Sequence, residues 1–167
     1  KKGDLVVTVD PNGDPYLVSN TGNNGLPDWN GEPGKFGSIN IRNQAKATFV
    51  FAFVETGTDT PFSIDAKEEL MFSLFDLDHG NKPDDHEFAD FKTAVASHSV
   101  TATTSITITG NDGDGTLHAQ SGRQGSAADN PTNPLNMTQI AKDSSITVTY
   151  VGISTWKIQM GDTTGKI

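Results

Sequence analysis

The segment Ala45–Glu55 reads A-K-A-T-F-V-F-A-F-V-E. Side chains along a strand point alternately to opposite faces. Phe49, Phe51 and Phe53 therefore share one face, and Val50, Ala52 and Val54 share the other. A period of two with apolar residues on both sides predicts a core strand covered on both faces.

The same grammar recurs outward from this segment. Asp4–Val9 (D-L-V-V-T-V) is an expected strand ending in the turn Asp10-Pro11-Asn12-Gly13. Proline presets φ and Asn-Gly supplies a positive-φ corner, so Pro15–Val18 is expected to return as the hairpin partner. Ser19–Lys35 is a long irregular stretch rich in Asn and Gly, a type that is usually functional. Phe36–Ile41 reads as a short strand and Glu69–Asp78 as a strong one, followed by a polar loop at Gly80–Asp85. In His86–Ser97, Phe88, Phe91 and Val95 would also fit a helix. A strand is preferred because the segment runs into the β-branched stretch Val100–Thr109. Asn111–Gly115 predicts a hairpin turn with Thr116–Ser121 returning. Leu135–Lys142 predicts one or two helical turns capped by Asn136 or Thr138. Ser145–Val151 and Thr155–Met160 are the last strands. Parallel sheets need crossover helices, and none is legible. The expectation is one all-β domain over 1–167, an antiparallel β-sandwich of jelly-roll or Greek-key type with at most one short helix. Residues 1–35 form its N-terminal hairpin and irregular loop, and 36–160 its core.

The chain has 167 residues, a formal net charge of -9 and no Cys. A nucleic-acid binder needs basic surface for phosphate contacts, so that class is excluded. Disulfide scaffolds, thiolate zinc sites and cysteine nucleophiles are excluded with the missing Cys. No apolar run approaches the roughly 20 residues of a membrane helix, so membrane insertion is not expected. The chain opens at Lys1 without an apolar leader, as a mature or excised segment would.

The feature that points to chemistry is Phe72-Ser73-Leu74-Phe75-Asp76-Leu77-Asp78. On a continuous strand, Asp76 and Asp78 share the face of Phe72 and Leu74. Two carboxylates roughly 6–7 Å apart at a core margin need a cation, an Arg or a proton. This strand carries no Arg or Lys. Ca²⁺, which takes six to eight oxygen ligands, is the expected answer. Glu87, Asp129, Asn130 and the Asn-rich loop Asn20–Asn30 could add oxygens. The competing reading is that Asp76 and Asp78 only begin a polar turn and cap amides. Asp10, Asn12 and Asp14, and also Asp112 and Asp114, read as tight turns rather than ion sites. His79 and His86 lie near the acidic loop with Asp84, but imidazole spacing on one regular element is missing. They read as solvated loop histidines. No G-x-S-x-G, phosphate loop or H-E-x-x-H is present. A Glu87/Asp76 glycosidase pair is a thin case. Trp29, flanked by Asp28 and Asn30, has the make-up of a sugar-stacking platform, or of a plug over the sheet edge.

Three stretches carry a resemblance: T-G-T-D-T-P-F at Thr56–Phe62, L-M-F-S-L-F-D-L-D at Leu70–Asp78 and D-N-P-x-N-P-L-N-M-T at Asp129–Thr138. Over residues 36–160 the chain resembles secreted calcium-binding β-sandwich modules of marine microbial and algal surface proteins. The resemblance implies calcium at the loop end, with Asp76, Asp78, Glu87, Asp129 and Asn130 at ligand positions. It also implies an extracellular or cell-surface place, and a role in adhesion, glycan binding or coat assembly. The expected function is therefore a non-catalytic, calcium-stabilised module that meets a glycan or cell-surface ligand through Trp29, Asn30 and Asp28. The alternative is a self-assembling subunit of a coat, shell or filament, hence a homo-oligomer. A polysaccharide-active enzyme ranks below both.

Overall fold

The computed structural model describes residues 3–18, 36–62, 64–80, 84–126, 130, 131, 133 and 136–163. Its elements are β1 (Gly3–Val9), β2 (Lys46–Glu55), β3 (Glu69–Leu74), β4 (Glu87–Phe91), β5 (Ser97–Ser99), β6 (Ile106–Thr109), β7 (His118–Ser121), α1 (Gln139–Asp143), β8 (Ile146–Val151) and β9 (Thr155–Asp162). They form a six-stranded sheet in the order β1-β2-β9-β4-β7-β6 and a three-stranded sheet in the order β3-β8-β5. Every strand pair is antiparallel. The chain changes sheet at each strand-to-strand connection except β1–β2 and β6–β7. The fold is all-β and sandwich-like, with one helical turn, as the alternation predicts.

The register explains the core. Phe49 faces Ile158 and Phe51 faces Trp156 across β2 and β9. Ala89 faces Met160 and Phe91 faces Ile158 across β4 and β9. Directly opposed residues point the same way, so these side chains make one apolar sheet face. Phe72 of β3 and Val148 and Tyr150 of β8 close over it. Phe51 stacks on Trp156 with centroids 5.5 Å apart, and Phe72 meets the two rings edge-on at 5.0 and 5.3 Å. Each fully buried large apolar side chain contributes about 1.5–3 kcal/mol of transfer free energy. The second face of β2 is covered only in part: Thr48 and Val54 are buried, while Val50 and Ala52 are half-buried.

Several expectations are corrected. β1 pairs with β2, from Gly3↔Glu55 to Val9↔Phe49, and Pro15–Val18 forms no strand. The turn itself exists, with Gly13 N donating to Asp10 O and Asn12 N to the Asp10 carboxylate. Beyond it the chain is held by side chains instead of a ladder: Gln159 donates to Asp14 at 3.0 Å, and Tyr16 packs edge-on against Phe49. Phe36–Ile41 contributes a single bridge residue. The Thr-rich stretch becomes strand only at Ile106. Before that, the hydroxyls of Thr101 and Thr103 donate to the Asp143 carboxylate, and those of Thr104 and Ser105 to its carbonyl. These bonds satisfy the end of α1 and divert the segment from a ladder. The helix starts where the sequence suggests, with Thr138 accepting from Ala141 N.

Candidate metal centre

β3 ends at Leu74, four residues short of the expected strand. Asp76 then adopts φ +65. This left-handed conformation is uncommon outside Gly, and Asp is among the residues that tolerate it. The turn breaks the alternation, so Asp76 and Asp78 do not continue the face of Phe72 and Leu74. Leu77 enters the core instead, its N–H donating to Ser144 O at 3.0 Å.

The chain thereby crosses to the other sheet and starts a short antiparallel ladder. Glu87 N donates to Asp78 O at 3.0 Å, and Asp78 N to Glu87 Oε2 at 3.3 Å. His79 bridges His86, and Gly80 N donates to Asp85 O. Glu87 in turn faces Asp162 on β9. Asp78, Glu87 and Asp162 thus form a row across three neighbouring chain segments. This row continues the apolar rows Phe91–Ala89 and Trp156–Ile158–Met160 at the end of the core. Asp162 is only 8% exposed.

Glu87 is exposed at the start of β4. Its carboxyl is nevertheless pushed up to about 8, first by desolvation and then by the negative charge of Asp78. The backbone bond from Asp78 opposes this, and the charges of Asp76 and Asp162 reinforce it. Crowded carboxylates favour the neutral acid unless a cation joins them. Gly125 lies against this cluster: a Cβ there would stand 2.3 Å from Asp78 Oδ2, so only glycine leaves the carboxylate its place. The Asn130 amide lies against Asp76. Hydrogen-bond complementarity turns its nitrogen inward, where it donates to Oδ2 and Oδ1 at 2.6 and 2.7 Å.

Every donor in this cluster is a hard oxygen, the set that Ca²⁺ or Mg²⁺ takes and a soft metal does not. Among the described residues, no three His, Cys, Asp or Glu side chains are already gathered as a group able to hold a metal ion. The chemistry of the donors fits calcium; their gathering would require side-chain rotation, including that of the Asn130 amide. Asp129, expected as a ligand, lies outside the described residues, as do Trp29, Asn30, Asp28 and the Asn-rich loop.

Acidic turns elsewhere are held by specific side chains. Lys157 Nζ donates to the buried Asp10 at 2.6 Å and, with the Asn12 N–H, holds that carboxyl below its ordinary range. His98 meets Asp112 at 2.8 Å, and Asp114 accepts from Thr116 and Asn111. Sequence reasoning missed Asp162 and Gly125. The signal for Asp162 was available, because T-W-K-I-Q-M-G-D places it on the Trp156 face by simple alternation. Gly125 left no signal.

No protein-family model, no curated protein and no solved structure matches this chain. Among the described residues no helix is long and apolar enough to cross a membrane.

Proposed function

We propose that this chain is a non-catalytic, extracellular β-sandwich module for glycan binding or surface adhesion, with one end of the sandwich tied by Ca²⁺. The observation that carries the reading is the row Asp78–Glu87–Asp162 at the end of the core, with Asp76 close enough to act on Glu87. Converging carboxylates at the end of an apolar sheet face offer the hard oxygen donors that a divalent cation takes. In this reading Asp76, Asp78 and Glu87 are its ligands, with Asp129 and Asn130 of the D-N-P segment. The ligand-binding residues in this reading are Asp28, Trp29 and Asn30. A melt with Ca²⁺ and with chelator tests the ion. A glycan array with wild type and Trp29→Ala tests the ligand, and equal array signals from the two would remove the Trp29 loop from the reading.

One observation favours a second reading, self-assembly. β1 is an edge strand, and Leu5, Val6 and Val7 are 45%, 38% and 40% exposed. An exposed apolar edge is a template for a further strand. Sedimentation at high concentration with Ca²⁺ tests this reading, and a strict monomer there contradicts it.

A further inference from the structure

The ladder that aligns Asp78 with Glu87 has a second face. Opposed pairs along an antiparallel ladder alternate sides. His79 and His86, one step further on, therefore lie on the face away from the carboxylates. Their rings meet edge-to-face with centroids 5.0 Å apart and planes at 65°. Both are half-buried. The His79 segment is held on its other side too, with His79 N donating to Arg123 O and Gly125 N to His79 O, both at 2.9 Å.

Each ring has the same second contact. His79 Nδ1 lies 2.8 Å from Gly80 O, and His86 Nδ1 lies 2.7 Å from Ser121 O. A carbonyl oxygen can only accept, so both Nδ1 atoms carry the proton. In the neutral rings both Nε2 atoms are then lone-pair donors. A backbone carbonyl fixing Nδ1–H is the outer-shell arrangement of metal-bound histidine, because it sets the tautomer and the ring orientation. The spacing agrees as well. With metal–nitrogen bonds of about 2.0–2.1 Å, two imidazoles on one tetrahedral ion have centroids about 5 Å apart.

We propose that His79 and His86 form a two-imidazole site for a borderline divalent transition ion of the Zn²⁺ class, bound through Nε2, with water completing the coordination. The site is distinct from the calcium reading. Nitrogen donors on one face select a transition metal, and oxygen donors on the other select a hard cation. With only two protein ligands it binds more weakly than a four-ligand structural zinc site.

The test is calorimetric titration of Zn²⁺ into the full chain at saturating Ca²⁺, which keeps Zn²⁺ off the carboxylates. The expected result is one equivalent bound. His79→Ala and His86→Gln should each weaken it by at least about tenfold, since even outer-shell losses at metal sites cost 10–100-fold. Gln at 86 can still donate to the Ser121 carbonyl, and thermal melts verify that each variant is folded. His118→Gln should bind as wild type does. The Electron paramagnetic resonance spectrum of added Cu²⁺ should show two imidazole nitrogens in wild type and one in each single variant. No Zn²⁺ binding by wild type, or wild-type affinity in folded His79→Ala, overturns the proposal. Loss of the Ca²⁺ melt shift with Zn²⁺ binding intact would defeat the calcium reading alone.

Discussion

Glu87 ends an apolar row, and without a cation desolvation and its acidic neighbours make its carboxyl hold a proton more tightly than it would in water. Its folded value of about 8 lies above the ordinary 4.5. The native state without a cation therefore binds a proton that the unfolded chain releases between these values. That contribution is fully present below about pH 4.5 and is lost as pH rises through 8. In chelator, wild type should lose melting temperature across this window, and Glu87→Gln should not. A second pair works in another range. His118 is raised above 6.5, chiefly by its hydrogen bond to Asp90. In Asp90 burial pushes upward, but the bonds to His118 and Lys92 outweigh it and the net shift is below 3.8. The His118 contribution is present below pH 6.5 and fades as pH rises through its folded value. The Asp90 contribution is present above 3.8 and fades as pH falls through its own. Wild type should therefore exceed His118→Gln most clearly between about pH 4 and 6.5, read by urea denaturation at stepped pH. In the core, Tyr150 Oη and Trp156 Nε1 are buried with no hydrogen-bond partner among the described residues. Tyr150→Phe should leave stability unchanged or raise it by on the order of 1 kcal/mol. Trp156→Ala should cost about 3–5 kcal/mol.

Elements were legible where pattern and packing agree. β2 and β9 are neighbouring interior strands of the large sheet; their core-facing rows are largely buried as read, whereas the second face of β2, also read as covered, is covered only in part. β1 was legible as a strand but not in its partner. A Pro-Asn-Gly turn announces a local hairpin, whereas the ladder to Lys46–Glu55 spans a long separation that no local signal reports. β3 was read too long because nothing in L-F-D-L-D announces a left-handed Asp76. The same blind spot hid the route by which Asp78 reaches Glu87. Asp76, Asp78 and Glu87 stood out in the sequence, but Asp162 on the partner strand β9 did not. The open side of β1 carries a prediction at this scale. If copies join through it, Val6→Lys should shift the sedimentation profile to monomer, because a charged edge resists pairing. An unchanged oligomer would place the contact elsewhere.

For the whole molecule, the net charge of -9 has internal structure. Asp10 is answered by Lys157, Asp90 by Lys92 and His118, and Asp143 by the hydroxyls of Thr101 and Thr103 and the Gln139 amide. At the end of the core, the charges of Asp78, Asp76 and Asp162 add to desolvation in raising the Glu87 carboxyl. With no disulfide available, a cation there would be the covalent staple's substitute. The most direct measurement is the thermal melt of wild type and of Asp78→Asn/Glu87→Gln at pH 7.5, in Ca²⁺ and in chelator. At a hundredfold excess over Kd, a bound ion adds about 2.7 kcal/mol. For a domain of this size that raises Tm by roughly 5–10 °C. The account predicts this rise in wild type and its absence in the double variant. The same Tm in Ca²⁺ and chelator for wild type would contradict it.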